Sequence, residues 1–248
     1  SSAGDNYTGI DLGNQFTGAL TITGNRLGVD QADIITTGIS IASGIPTLTN
    51  NEIVQGTVQK GFSINTNQTY TLLNNDIEGT ITIGIEILDG TATIKQSDIT
   101  SIGGAGIGIQ LSGGTNHDIG VSGDYDQKNI FKLLATAIKS SVDTTVDVFN
   151  NHIGISGAAN SANGLLVDTT STVNSHNNVY HSNDKAINIT ADVTFGSSGD
   201  NISNSTTAGI EINHAAANPT IANLTSANTN PIGVLITLSD TGSIQNST

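Results

Sequence analysis

Residues 113–129, GGTNHDIGVSGDYDQKN, bring several side chains together that can bind a cation. Asp118, Asp124 and Asp126 supply carboxylate oxygens, the ligands that calcium prefers, and the Asp-x-Asp spacing at 124–126 is typical of the opening of a calcium loop. Lys128, however, stands where such a loop places another oxygen ligand, and no glycine follows it. We therefore interpret the stretch as a solvated loop, with a weak calcium site at the three aspartates as the alternative.

Other residue combinations have the composition of hydrolytic sites without their spacing. Glu86 and Glu211 both occur in the stretch Gly-Ile-Glu-Ile, but a two-carboxylate mechanism requires the acids to converge to ~5–9 Å. The stretch HSND (181–184) contains serine, histidine and aspartate, yet a catalytic triad needs convergence in space rather than adjacency in sequence. The glycines of 103–108 precede no helix that could bind phosphate. The chain is predicted not to be an enzyme.

Asparagine pairs recur along the chain, each close to an apolar residue, and they belong to a longer pattern. A small residue opens a Gly-Ile-x-Ile type of strand at ten positions: Gly9, Gly38, Gly61, Gly84, Gly106, Ala137, Gly164, Ala186, Gly209 and Gly233. The apolar residue that closes the Asn turn forms a second series: Leu27, Ile53, Ile77, Ile99, Ile130, Ile153, Val179, Ile202 and Leu224. Because the two series stay in phase, the chain is predicted to be a repeat array.

Each coil of this array is predicted to contain three short strands, and residues 129–140 are interpreted as two of these strands rather than a helix. Coils of this kind stack because none can bury its apolar face alone. One interior column should then contain Ile39, Phe62, Ile85, Ile107, Ile138, Leu165, Ile187, Ile210 and Val234. The next should contain Ile41, Ile64, Ile87, Ile109, Val167, Ile189, Ile212 and Ile236.

Stacking also explains the asparagines. The tight bend between the second and third strands needs a residue that tolerates left-handed backbone angles, which asparagine does. Equivalent turns should align Asn51, Asn75, Asn151 and Asn177, whose side-chain amides can hydrogen-bond from coil to coil. The same stacking separates Glu86 from Glu211 by about five coils, or ~24 Å at ~4.8 Å per coil. These two acids therefore cannot share a mechanism.

The coil length, the strand pattern and the asparagine turns resemble the right-handed parallel β-helix superfamily over residues 9–246. The resemblance implies an all-β fold: a single right-handed parallel β-helix, or β-solenoid, of about ten coils with three short strands per coil and Asn-rich turns. One domain is expected over 1–248, with a lead-in at 1–8 and longer loops at 28–37, 113–126 and 154–163. In character the chain looks closest to non-enzymatic surface-protein and adhesin passenger segments.

Enzymes of that superfamily suggest a second comparison. Its lyases use acidic calcium ligands beside an arginine or lysine base. The outward positions of the first strand are predicted to be Asp11, Ser40, Ser63, Glu86, Gly108, Lys139, Leu166, Asn188, Glu211 and Leu235. Acids are scattered among them, and Lys139 has no acidic neighbour at that position. The pattern does not match the lyases.

Composition excludes several classes of partner. The chain has 248 residues and a formal charge of −14, from 21 acidic and 7 basic residues. Phosphate backbones and anionic membranes both require clustered basic residues, so we predict no nucleic acid partner. No apolar run approaches the ~18 residues of a membrane span, which argues against direct membrane insertion. The lack of cysteine excludes disulfides and is compatible with export.

These observations predict an extracellular or cell-surface protein, either a mature chain or an excised piece. The expected function is that of a structural or adhesive rod of a microbial surface protein. One alternative is a filament subunit that stacks head to tail, and another is a carbohydrate-binding or polysaccharide-degrading β-helix. Expected partners are further coils of the same polypeptide, a second copy of the chain end to end, or a glycan or host-cell-surface ligand. No cofactor is predicted apart from the calcium alternative.

Overall fold

Parallel β-strands make up 68% of the structure and form a β-solenoid of about nine turns. The computed structural model describes residues 6–28, 34–154, 161–214, 217–227, 232–238 and 241–248. In these segments the helical structure consists of one 3-10 turn, Tyr125–Gln127. No helix among them is long and apolar enough to span a membrane. The predicted all-β fold with stacked coils is confirmed.

All 25 strands belong to one sheet, in which each strand pairs with its counterpart in the neighbouring coil. The strands are β1 (Asn6–Leu12), β2 (Ala19–Thr23), β3 (Arg26–Leu27), β4 (Ile34–Ile41), β5 (Ile45–Thr49), β6 (Glu52–Leu73), β7 (Asp76–Lys95), β8 (Asp98–Ser101), β9 (Ile107–Leu111), β10 (His117–Gly120), β11 (Ile130–Lys132), β12 (Thr136–Ser140), β13 (Thr145–Phe149), β14 (His152–Ile153), β15 (Ser161–Val167), β16 (Ser171–His176), β17 (Val179–His181), β18 (Asn183–Ile189), β19 (Val193–Ser198), β20 (Asn201–Ser203), β21 (Ala208–Asn213), β22 (Asn218–Ala222), β23 (Thr225–Ala227), β24 (Ile232–Leu238) and β25 (Ser243–Gln245).

The coil count and the strand lengths differ slightly from the prediction. Ten opening residues enclose nine intervals, which accounts for about nine turns instead of ten. Most coils have three short strands, but β6 and β7 each continue through two corners as strands of 22 and 20 residues. Pairing with the neighbouring coils continues through those corners, where Gly56 and Gly90 have positive φ angles of 75° and 86°, and the two strands end at the tight turns Asn74–Asn75 and Gln96–Ser97. As predicted, residues 129–140 contain two strands, β11 and β12.

The strand pairing confirms the interior columns except in the fifth coil, and in the last coil Ile236 pairs as predicted but is 39% exposed. There Ile85 pairs with Ile109 and Ile83 with Ile107, so the first column passes through Ile109. Ile109 is fully buried, whereas Ile107 is only partly buried. The strand therefore opens at Gly108 instead of Gly106, and its outward residue is Gln110 rather than Gly108.

The small residue that opens each first strand is explained by close packing between coils. A Cβ atom on Gly84 would lie 2.6 Å from the carbonyl oxygen of Gly108 and 2.9 Å from Ile99. The backbones of neighbouring coils thus approach each other beneath a large side chain from the third strand. Ala137 and Ala186 show that one methyl group is accommodated in some coils.

Three residues of the second predicted series are wrong by one or two positions. Phe131 rather than Ile130 pairs with Ile99, and Tyr180 rather than Val179 pairs with Ile153. In the ninth coil Ser226, not Leu224, pairs with Ile202. In the first two cases the predicted residue is a β-branched residue at an outward position, directly before the buried one. The pattern of apolar residues alone does not distinguish the two faces there.

The predicted loops are shorter than expected wherever the structure describes them. Strands include 34–37 of the first predicted loop, His117–Gly120 of the second and 161–163 of the third. The remainder of the first loop beyond residue 28, and 155–160 of the third, lie outside the described residues. In the lead-in, strand β1 already begins at Asn6. The extra length of the fifth coil lies mainly at 121–129.

Candidate functional site

The asparagine turn is a buried hydrogen-bond ladder, which we call the ladder corner. Its first residue has a left-handed backbone, as at Asn50 with φ 56°, and its second residue points inward. Nδ2 of Asn51 donates to Oδ1 of Asn75 in the next coil at 3.0 Å, and to the carbonyl oxygen of Ile22 at 3.0 Å. Nδ2 of Asn151 donates in the same way to Asn178 and Ile119. These side-chain amides have a structural role, as predicted.

The fourth predicted member of the ladder is a neighbour of the true one. Asn178 is fully buried and accepts from Asn151, whereas Asn177 is exposed with φ 54°. The predicted ladder also lacks three members, Asn25, Ser97 and Asn129, which accept from or donate to it in the same way. All three lie two residues before the inward-facing residue of the third strand, and this spacing is the sequence feature that could have identified them.

The ladder ends at a buried carboxyl group. Oδ1 of Asp200 accepts from the backbone N and from Nδ2 of Asn178, at 2.9 and 3.0 Å, and Oδ2 accepts from Ser197 Oγ at 2.7 Å. The equivalent residue of the next coil is the apolar Leu224, which cannot continue the series. Burial raises the pKa of Asp200, although these hydrogen bonds oppose the rise. A carboxylate, which accepts without donating, suits this position because the side chain of Leu224 at the equivalent position of the next coil cannot accept an amide hydrogen.

The three aspartates of the calcium hypothesis lie in two places, Asp118 on a strand and Asp124 with Asp126 at the 3-10 turn. Asp118 lies on β10 and pairs in register with Asp147; burial, followed by that neighbouring charge, raises its pKa. Asp124 caps the 3-10 turn and accepts from the backbone N of Asp126 at 3.1 Å. In the part of the chain that the structure describes, no group of three or more His, Cys, Asp or Glu residues could hold a metal ion. Calcium binding through these residues stays a prediction, and the described residues do not form a cluster of ligands for it.

His117, which precedes Asp118, is part of the core. Its ring is fully buried, its Nδ1 accepts from the backbone N of Ala92 at 3.3 Å, and its Nε2 lies 3.0 Å from the carbonyl oxygen of Gly113. Burial lowers the pKa of His117, and the contact with Gly113 partly offsets that effect. The histidine therefore fixes the corner and is not exposed to a ligand.

The two glutamates are each engaged by a lysine from the preceding coil. Glu86 is only 7% exposed and binds Lys60 Nζ at 2.6 Å and Ser63 Oγ at 2.9 Å. Glu211 binds Lys185 at 3.0 Å. Both acids lie in the same outward column, five register steps apart, so the prediction that they do not cooperate is supported by the pairing.

Two further sequence patterns also resolve into structural contacts. Lys139 has no acid beside it in its own column, but Asp168 from the next coil pairs with it at 3.0 Å. In the stretch 181–184, Nδ1 of His181 lies 2.7 Å from Ser182 Oγ. Asp184 instead accepts from the hydroxyl of Thr206 at 2.6 Å. Its carboxylate is thus engaged with threonine, and no triad relay connects it to the histidine.

A different corner carries a groove that was not predicted from the sequence. Between the first and second strands the turn has six residues in the first coil (13–18), three in the second (42–44), four in the third (65–68) and three in the fourth (88–90). The short second turn lies between two longer ones. A groove of about 400 Å³ results, which we call the corner groove.

Side chains of four coils line the corner groove. Phe16 from the first coil leans over the second, since a Cβ atom on Gly44 would lie 2.6 Å from its ring. Asn65, Asn67 and Gln68 come from the third coil and Asp89 from the fourth. The third coil has extra residues here, because Asn65 pairs with Asp89 and Thr69 with Thr91. This bulge directs Asn67 and Gln68 outward, a common effect of extra residues in a strand.

Hydrogen bonds hold the walls of the groove to its floor. The hydroxyl of Ser43 accepts from the backbone N of Phe16 at 3.1 Å and donates to the carbonyl oxygen of Gly13 at 2.9 Å. On the other side, Thr66 is buried and donates to the carbonyl oxygen of Gly44 at 2.7 Å. Asp89 Oδ1 accepts from the backbone N of Gly90 at 2.7 Å. The groove is therefore preformed.

Comparison of the chain with protein-family models, with curated proteins and with solved structures gives no match.

Proposed function

We propose that the chain is a structural and adhesive rod of an extracellular microbial surface protein. The observation that supports this proposal is how the charged residues are used. Five of the seven basic residues form ion pairs, and every pair joins neighbouring coils. These pairs are Arg26–Glu52, Lys60–Glu86, Lys132–Asp98, Lys139–Asp168 and Lys185–Glu211.

This use of charge favours a spacer over a catalyst. Each pair is partly exposed to solvent and contributes at most about 1 kcal/mol. Together with the ladder, the pairs fix the register of one coil on the next. A solenoid in which each repeat contacts only its neighbours gains length by adding repeats, and its stability grows with every interface. A chain of this kind suits spacing or display, and its loops and corners suit adhesion.

The rod can be tested by its dimensions. Nine turns at ~4.8 Å per turn predict an axial length of ~43 Å for the stacked strands, measurable by small-angle X-ray scattering on the purified chain. An extracellular position predicts that antibodies against the chain label intact producing cells and that external protease removes the label. A scattering profile that departs from the profile calculated for the stacked coils, or labelling only after lysis, would contradict the proposal.

Adhesion is a separate measurement. Beads coated with the chain should attach to cell or extracellular surfaces more often than beads coated with the heat-denatured chain. Equal attachment of the two kinds of bead would reduce the proposal to a spacer without adhesive activity.

A further inference from the structure

We propose that the corner groove binds an uncharged saccharide, through Phe16, Asn65, Asn67, Gln68 and Asp89. The inference names the ligand class of the proposed adhesive rod, and in that respect it rests on the proposed function. It is carried by three properties of the groove: its shape, its hydrogen-bonding groups and its charge.

The shape is that of a small-molecule site. Its volume of about 400 Å³ falls within the ~300–1,000 Å³ of ligand pockets. Ser43 and Thr66 tie both walls to the floor, so binding does not require the walls to become ordered first. Less conformational entropy is lost when a ligand enters a preformed site.

The hydrogen-bonding groups match hydroxyl groups. A sugar hydroxyl both donates and accepts, and the amides of Asn65, Asn67 and Gln68 also offer a donor and an acceptor each. The amides of Asn67 and Gln68 already bond to each other at 2.6 Å, which holds them side by side. Asp89 adds a carboxylate that accepts only. At the other end, 37% of Phe16 is exposed, and its ring offers an apolar surface to the C–H face of a sugar ring.

The charge distribution selects against acidic ligands. Among the residues that line the groove, Asp89 is the one charged side chain and none is basic. The whole chain carries a formal charge of −14, so a uronic acid or a phosphorylated sugar would be repelled. Recognition of carboxylate or phosphate groups usually depends on arginine or lysine. An uncharged saccharide fits these conditions.

A second groove at the same corner provides an internal control. It has a volume of about 550 Å³, and its lining includes Asp143, Thr145, Thr170, Thr172 and Asp192. No aromatic ring and only one amide side chain, Asn116, occur among its lining residues. Hydroxyl groups are plentiful there, but the apolar platform is absent. We expect this second groove not to bind the saccharide.

The experiment uses the full chain and defined probes. Tetrasaccharides of glucose, mannose, galactose and N-acetylglucosamine are titrated to about 10 mM, so that even millimolar affinity is detected. Tetragalacturonate and tetralysine serve as the anionic and cationic comparisons. Binding is followed by NMR through the backbone amide signals of Gly44 and Gln68. We expect at least one neutral probe to shift these signals, with no comparable shift by either charged probe.

Variants then locate the site. Phe16→Ala should weaken the binding of that probe at least about tenfold, because the ring supplies the apolar contact, while Thr170→Ala in the second groove should leave it unchanged. Since Phe16 is exposed, its variant should melt like the parent; if it does not, Asn67→Ala replaces it. The inference is overturned if no neutral probe binds, if a charged probe binds more tightly, or if the groove variants bind like the parent. Such a failure leaves the rod and its surface exposure untouched, since scattering and antibody labelling test them independently.

Discussion

The ladder corner and the corner groove lie on the same coils but obey different rules. At the ladder corner two residues separate the second and third strands in eight of the nine coils that the structure describes, from Gly24–Asn25 to Asn223–Leu224. The exception is the fifth coil, whose nine residues, 121–129, still return an asparagine to the ladder. Between the first and second strands, by contrast, the turn varies from three residues to six over the first four coils.

The difference shows how a repeat protein separates architecture from recognition. A buried amide that bonds to the coils on both sides fixes the length of its turn, because a displaced amide would leave several buried groups without partners. A turn without such a constraint can lengthen in one coil and shorten in the next. Where a short turn lies between longer ones, the longer turns form the walls of a groove and the short turn forms its floor. Side chains such as Phe16 then extend over the neighbouring coil. Loops of this kind commonly carry function on a rigid scaffold.

The two corners should differ most in the loss of stability that follows when one side-chain amide is removed from each. Asn151→Ala removes the acceptor for Asn129 and the donor to Ile119 and Asn178. It should lower the free energy of unfolding by about 3–5 kcal/mol, because several buried groups lose their partners. Asn67→Ala, in the exposed bulge, should change it by no more than about 0.5 kcal/mol. Urea denaturation measures both, and equal losses would mean that the two corners do not differ as described.

A second pair of variants tests the strand register on which the comparison of corners depends. Ile109→Ala should cost ~2–5 kcal/mol, since it leaves a cavity in a fully buried column. Ile107→Ala, two residues earlier on the same strand and partly exposed, should cost roughly 1 kcal/mol or less. If Ile107 proved the more costly position, the register assigned to the fifth coil would have to shift back by two residues.

The buried end of the ladder predicts a pH dependence. Because the folded pKa of Asp200 is raised, the folded chain binds more protons than the unfolded chain above the unfolded pKa of about 3.9. The contribution of Asp200 to stability is therefore greatest below that value and is lost as the pH rises through the folded pKa. As the pH rises across this window, the free energy of unfolding of the Asp200→Asn variant should increase relative to that of the parent. The increase should be about 1.4 kcal/mol for each unit by which the folded pKa exceeds the unfolded pKa.

Comparing the two proteins by denaturation between about pH 4 and pH 8 isolates this effect. Asp76 and Asp118, whose pKa values are also raised by burial, titrate in both proteins and so cancel in the difference. A difference that does not change with pH would show that Asp200 titrates alike in the folded and unfolded chains.

The smallest expected effect is a gain in stability at Ser97, the ladder residue with the shortest side chain. Ser97 occupies a ladder position, and its hydroxyl reaches the backbone N of Asn75 only at 3.4 Å. Ser97→Asn should let Nδ2 of Asn75 donate to a second acceptor, as Asn51 and Asn151 do, and raise the free energy of unfolding by about 1 kcal/mol. Ser97→Ala is the matched control and should lower it. A loss in both variants would indicate that the turn has no room for the larger side chain.

Much of this architecture was accessible from the sequence because its cause is local and repeated. Alternating apolar residues, small opening residues and paired asparagines recur coil after coil, and each coil meets the same environment above and below. The pattern therefore predicted the stacked all-β fold, most of the interior columns and three of four ladder residues. It was wrong where an outward position held an apolar residue, as at Ile130 and Val179, because a period of two cannot reveal which face is buried when both are apolar.

What only the tertiary structure decided depends on contacts between different coils. Whether Asn177 or Asn178 is buried follows from the register of β17 on β14, which no single coil contains. The corner groove exists because turns of unequal length become neighbours, so residues as far apart as Phe16 and Asp89 line one surface. The length of each turn can be read from the sequence, but the groove depends on the difference in length between the turns of neighbouring coils. That difference produces a groove only when the coils are stacked.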